Sequence, residues 1–139
     1  MFAEALVCLA LNIYHEARDQ PFIGQVAVAQ VVMNRVRDDR YPDDVCEVVT
    51  QGPTYSWRPD FPVRHRCQFS WYCDGKSDKT PDEEAWEQAM IIAQGVHTGN
   101  LDDFVEGATH YHATYVLPEW AESKVPVVQI AEHVFYRWE

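Results

Sequence analysis

No apolar run in this 139-residue chain approaches the ~20 residues needed to cross a bilayer, so membrane insertion is not expected. The first residues, MFAEALVCLALN, lack a basic start and lead straight into a helical pattern. The expectation is a chain made without a secretion address, or one trimmed of it. No internal repeat, low-complexity tract or linker divides the sequence, which points to one domain over residues 1–139. Positive charge is scarce: 11 Lys and Arg stand against 22 Asp and Glu, for a formal net charge of −11. That argues against a nucleic-acid backbone or an anionic membrane surface as the main partner, and leans toward a neutral or locally cationic substrate. Cysteine is sparse, and no Cys-x₂₋₄-Cys pair exists, so a cysteine zinc site is not expected. Cys8, Cys46, Cys67 and Cys73 allow three pairings if all bridge. Cys8 sits in a helical apolar pattern and reads as a buried thiol. Cys67 and Cys73 flank a short aromatic loop and either clip it or stay reduced, as thiols do in a chain without a secretory signal.

What is present is enough apolar material for a core, with hydrophobic residues at 47%. Periodicity predicts a first helix over Glu4 to Ala17, ended by Arg18-Asp19-Gln20-Pro21 because proline disfavours helix in the residue before it. Gly24 to Arg37 reads as a second helix, apolar from Val26 to Met33 except for Gln30, and therefore the central buried one. Asp43-Asp44 starts a short third helix that runs to Thr50 and stops at Gln51-Gly52-Pro53. Residues 53–79 are irregular and rich in aromatics, a pattern of functional loops. Thr80-Pro81-Asp82-Glu83 predicts a fourth helix, with Thr80 as its cap, running to Val96. Beyond Phe104 the pattern alternates. Thr109 to Val116 reads as a strand with His110, His112 and Thr114 on one face and Tyr111, Ala113 and Tyr115 on the other. Pro118-Glu119-Trp120 makes a turn or short helical piece, and strands follow over Val125–Ile130 and His133–Trp138. Pro126 should sit at an edge or a strand start. The fold class is α+β: helices first, with a small antiparallel sheet in the C-terminal part.

Glu16 is the residue that carries chemistry. On the first helix, Leu9, Ile13 and Glu16 fall in one narrow sector, with Leu6 beside them and Asn12 one turn earlier on the same side. The carboxyl therefore points where the core-facing leucines point. Apolar surroundings disfavour its charged form and raise its pKa, which suits a general acid near neutral pH. The alternative is a surface glutamate, or one paired with Arg18 or Arg35.

Several segments, taken together and in order, resemble the SleB/CwlJ family of bacterial cell-wall hydrolases, whose best-known members are spore-cortex-lytic enzymes. They are NIYHEAR at 12–18, GQVAVAQVVMNRV at 24–36, CQFSWYCDG at 67–75, ATHYHA at 108–113, PEWA at 118–121 and HVFYR at 133–137. The resemblance implies a lysozyme-like α+β catalytic domain acting on peptidoglycan glycan strands. The family's Tyr-x-Glu-Ala-Arg motif places its catalytic glutamate on Glu16. This chain has Asp19 and Gln20 where the family commonly continues with Gly, which alters the turn and adds an acid. The family is often preceded by a wall-binding domain that has no counterpart here. A short chain without a signal would suit a phage lysis enzyme acting on the bacterial wall.

Cleaving a β-1,4 glycosidic bond requires a proton on the leaving oxygen and stabilisation of an oxocarbenium-like centre. A hydrolase adds a second carboxylate, for which Asp19, Asp74 and Asp78 are candidates. A lytic transglycosylase instead uses the muramoyl 6-hydroxyl as nucleophile, needs one glutamate and no cofactor, and is the route the resemblance favours. Trp71, Phe69 and Tyr72 are candidates for stacking on sugar rings, with Gln68 and Ser70 bonding acetamido groups and Asn12 beside the acid; the alternative is that these aromatics pack the core. His110 and His112 are candidate groove residues. They also form a candidate zinc pair with Glu16 or His133 as third ligand, which would make a zinc amidase. Tyr111 is the groove residue if the strand faces the other way. His15 points about 100° away from Glu16 and reads as packing. Arg18, Arg35 and Arg37 read as solvated or paired charges, with Arg35 able to orient a carboxylate. From another class, an idle glycan-binding module would keep the aromatic groove without Glu16. A monomer is expected.

Overall fold

The computed structural model describes residues 2–139. The α-helices are α1 (Phe2–Ala17), α2 (Phe22–Arg37), α3 (Val45–Val49) and α4 (Glu83–His97), all ahead of the C-terminal sheet. Strands β1 (Thr54–Tyr55) and β2 (Arg58–Pro62) form a separate hairpin between α3 and α4. Strands β3 (His110–Ala113), β4 (Val125–Ile130) and β5 (His133–Arg137) form an antiparallel sheet in the order β3-β5-β4. The helix-first α+β order expected from the sequence is the one adopted.

α1 buries Leu6, Leu9, Ala10, Ile13 and Ala17, a 3.6-period face. Its last turn closes through Gln20 N–H to Ala17 C=O at 2.9 Å, and Pro21 then opens α2. Every residue from Gly24 to Met33 in α2 is buried. Two cores explain this. Val26, Ala29, Val32 and Met33 pack with α1, α3, α4, Phe69 and Trp71. Ala27 and Val31 pack instead on Val105, Ala108 and Phe135, under the sheet. α2 is thus a partition between a helical core and a sheet core, and Tyr111 of β3 lies against both.

Asp44 caps α3 by accepting from Glu47 N–H at 3.0 Å. α4 begins two residues later than expected because Asp82, and not Thr80, is its cap. Asp82 accepts from Ala85 N–H at 3.1 Å, and its own N–H donates to Tyr14 Oη at 3.1 Å, which ties α4 to α1. Pro126 lies on the edge strand β4, beside a register shift, where a missing N–H removes no inner ladder bond.

Cys8 is not the free buried thiol expected. It is half-buried and forms a disulfide with Cys46, linking α1 to α3, while Cys67 and Cys73 form a second. The apolar helical setting of Cys8 concealed the pairing because α3 packs on that same face.

Candidate active site

The end of α1 delivers Glu16 to the junction of the two cores. Its carboxylate accepts a hydrogen bond from Tyr111 Oη of β3. Burial raises the Glu16 pKa above the usual carboxylate value; the Tyr111 hydrogen bond and the charge of Arg35 offset part of that rise. Burial, reinforced by the adjacent Glu16 charge, pushes the Tyr111 phenol well above its ordinary range. The tyrosine proton therefore stays on the phenol, and Tyr111 is a donor.

Arg35 comes from the last turn of α2 and is 5% exposed. Its Nε donates to Thr109 C=O at 2.7 Å. Its guanidinium lies between the rings of Tyr41, at 5.1 Å, and Phe69, at 5.0 Å. One residue back, Asn34 Nδ2 donates to Ala108 C=O at 2.9 Å. These two bonds fix the start of β3 against the end of α2, and so set where Tyr111 meets Glu16.

Two surface depressions share Glu16 as a wall. One is lined further by His15, Asp19, Gln20, Tyr115, Glu132 and His133. The other is lined by Arg35, Gln68, Phe69, His110, Tyr111 and Trp120. A half-buried carboxyl of raised pKa, flanked by open space on two sides and backed by a donor and a cation, is equipped to deliver a proton to a ligand that spans both.

The family described as Cell Wall Hydrolase matches residues 19–136. The chain belongs to the cell wall hydrolase family. The matched segment starts three residues after Glu16, so the helix that carries the acid precedes it. Among curated relatives, the spore cortex-lytic enzyme of Halalkalibacterium halodurans is 30% identical over 128 residues, covering 91% of this chain and 33% of that protein. The spore cortex-lytic enzyme of Bacillus subtilis is 26% identical over 127 residues, covering 91% of this chain and 35% of its own length. The chain thus spans about a third of the length of these curated relatives. A solved structure of the catalytic domain of the germination-specific lytic transglycosylase SleB from Bacillus anthracis superposes with a TM-score of 0.68 at 25% identity, covering 96% of this chain and 93% of that one. The catalytic domain of the Bacillus cereus SleB protein gives 0.66 at 25% identity, with coverages of 96% and 89%.

Within this cell wall hydrolase fold, the residues singled out from sequence divide sharply. Gln68 is exposed and its Oε1 lies 3.5 Å from Arg35, on the wall facing Glu16. His110 is half-buried on the same wall, against Trp120 at 5.1 Å. Phe69 lines that wall but is only 2% exposed, a floor under Arg35. Asn12 does not reach the depressions: it is fully buried, and its Oδ1 accepts from Trp71 Nε1 at 2.8 Å. Trp71 is 8% exposed, has His15 stacked on it at 4.7 Å and packs in the helical core without lining either depression. Tyr72 packs on the helical core, and Ser70 is exposed without lining either depression. His15 stacks on Trp71, has Nε2 3.1 Å from Asp78 C=O and also lines the first depression.

The zinc reading lacks its geometry. Nδ1 of His112 lies 2.7 Å from Ala113 C=O and Nε2 2.7 Å from Tyr136 Oη, so both ring nitrogens have protein partners. Among the described residues no group of three or more His, Cys, Asp or Glu side chains is arranged to hold a metal ion. Of the candidate second acids, Asp19 shares a depression with Glu16, whereas Asp74 and Asp78 line neither. Glu132 and Trp120 were not singled out, although PEWA carried Trp120 into view, and His133 was named only as a possible zinc ligand.

Proposed function

We propose that residues 1–139 act as one catalytic domain that cleaves peptidoglycan glycan strands at the β-1,4 bond between N-acetylmuramic acid and N-acetylglucosamine, as a lytic transglycosylase. The observation that carries this reading is the enclosed Glu16 carboxyl standing between two depressions, backed by Tyr111 and Arg35. The relatives named for cortex lysis and lytic transglycosylation support it.

Protonated Glu16 gives its proton to the glycosidic oxygen as the bond to the muramoyl C1 breaks. The muramoyl 6-hydroxyl then attacks C1, and its proton returns to Glu16, closing a 1,6-anhydro ring without water. Tyr111 holds one Glu16 oxygen by donating to it, which leaves the other for the proton in flight. Arg35 stabilises the carboxylate form between the two transfers. Gln68 and His110 line the wall that meets the sugars. No metal enters these steps.

A second reading has one observation in its favour: Asp19 shares a depression with Glu16 and would make the enzyme a hydrolytic muramidase. Mass spectrometry of digested peptidoglycan separates the two. Anhydromuramic ends are expected, and ordinary reducible ends would establish hydrolysis instead. Run in parallel, E16Q keeps the shape of the side chain and removes the acid, so wall clearing should drop by about 10²–10⁴-fold. Clearing by E16Q at the wild-type rate would overturn Glu16 as the acid, whereas a wild-type protein that binds walls without clearing them would be a glycan-binding module.

A further inference from the structure

The β1–β2 hairpin has no part in the chemistry above, yet it displays aromatic rings to solvent. Trp57 is 71% exposed and Phe61 45%. Neither they nor Tyr55 belong to the two cores. Their arrangement is nevertheless ordered. Tyr55 and Trp57 have ring centroids 5.3 Å apart, and the Arg58 guanidinium lies 3.7 Å over Phe61 and 5.8 Å from Trp57. Large apolar side chains held on the surface by one another and by a cation, and not by the interior, mark an interaction surface.

Charge sets the same segment apart. Residues 54–79 contain five of the chain's 11 Lys and Arg but three of its 22 Asp and Glu. All five cations, Arg58, Arg64, Arg66, Lys76 and Lys79, are exposed. A molecule of net charge −11 therefore carries a net-basic stretch: the hairpin balances Arg58 against Asp60, and the surplus cations follow directly in the loop after it.

The stretch is continuous with the active site. Val63 N–H bonds Pro53 C=O at 2.9 Å, Gln68 N–H bonds Gln51 C=O at 2.9 Å, and His65 N–H bonds Cys73 C=O at 2.9 Å. These bonds and the Cys67–Cys73 disulfide anchor the base of the hairpin to the loop whose Gln68 and Phe69 line the Glu16 wall.

We propose that this hairpin is a second contact surface for peptidoglycan, in which Trp57 and Phe61 lie against sugar rings while Arg58 and Arg66 take carboxylates of the stem peptides. The inference rests on the substrate proposed above. Sugar rings present apolar C–H faces that match aromatic faces, and guanidinium groups bind carboxylates in bidentate pairs. An acidic protein is repelled by a carboxylate-bearing polymer unless a local basic surface meets it first. A strand held at the hairpin raises its effective concentration at Glu16.

The test separates binding from cleavage. Co-sedimentation uses the E16Q protein with purified wall sacculi freed of phosphate polymers by hydrofluoric acid. Adding W57A/F61A should weaken binding to intact sacculi and to amidase-stripped glycan strands by about tenfold. Adding R58E/R66E should weaken binding to intact sacculi but leave binding to chitin, whose sugar chain bears no carboxylate, unchanged. With Glu16 restored, W57A/F61A should clear sacculi more slowly yet turn over a soluble muropeptide tetrasaccharide at the wild-type rate. Equal sedimentation of all variants would overturn the proposal. So would loss of parent binding on hydrofluoric acid treatment, because the ligand would then be a phosphate polymer. These sedimentation results stand even if Glu16 proves not to be the acid.

Discussion

Glu16 is held in a state that costs stability, and in the proposed mechanism that state is what supplies the acid. Its folded pKa lies above the unfolded value of 4.5, so between those two values the folded chain binds more protons than the unfolded one. Stability is therefore lost as pH rises through that window. E16Q should melt higher than wild type at pH 7, with the difference shrinking as pH falls below 4.5, a comparison that thermal denaturation across pH reads directly. Tyr111 acts the other way on the same carboxyl, since its hydrogen bond lowers the pKa. Y111F should move the basic limb of the kcat/KM profile to higher pH and reduce the rate by about one to two decades, the worth of a hydrogen bond to a charged group. His110 is pulled down to about 4, first by burial and then by Arg35, Lys124 and Arg40. Its NMR titration should inflect near pH 4, and the activity profile should show no step from it at pH 6.5. Periodicity put Glu16 on the buried side of α1, where the structure has it, but its neighbours there are Tyr111 and Arg35 and not leucines. Strand alternation separated Tyr111 from the His110 and His112 face but left open which face met the acid. That choice depends on Arg35 and Asn34 gripping the backbone at Thr109 and Ala108, 74 residues away in each case, and long-range bonds of this kind leave no local signature.

At the scale of elements, the helices were legible because each buries a periodic face and has its own start and stop chemistry. The β1–β2 hairpin was not. Its second strand, RPDFP, holds two prolines and is exposed except at its last residue, so neither propensity nor alternation announces it. α4 was placed two residues early because Thr80-Pro81 imitates a helix start, while the contact between Asp82 and Tyr14 decides the cap. D82A should destabilise by about 1 kcal/mol, the usual worth of an N-cap, measurable by urea denaturation. The Cys8–Cys46 bridge joins positions 38 residues apart. Chain-entropy reasoning gives it about 2–4 kcal/mol, so C8S/C46S should lower the urea midpoint and steepen the slope, because the unfolded chain is no longer cross-linked there.

For the molecule as a whole, the site is a junction and not a possession of either core. Glu16 arrives on α1 from the helical core. Tyr111 arrives on β3, packed against Phe135 at 5.5 Å and His133 at 5.0 Å over the sheet core. α2 lies between and contributes Arg35. The geometry of the proposed site therefore depends on the register of two cores across one helix, and a core substitution far from substrate should be felt in rate before it is felt in folding. Phe135 is fully buried and touches Tyr111 but no depression. F135A should cost about 3–5 kcal/mol by leaving a cavity. F135L fills part of that space and should stay folded at 25 °C, yet let Tyr111 shift. A displacement approaching 1 Å would lower kcat by about 10–100-fold. Circular dichroism and turnover on a soluble glycan, measured on the same sample, check this. Activity that merely follows the folded fraction would show that the sheet core supports Tyr111 without positioning it.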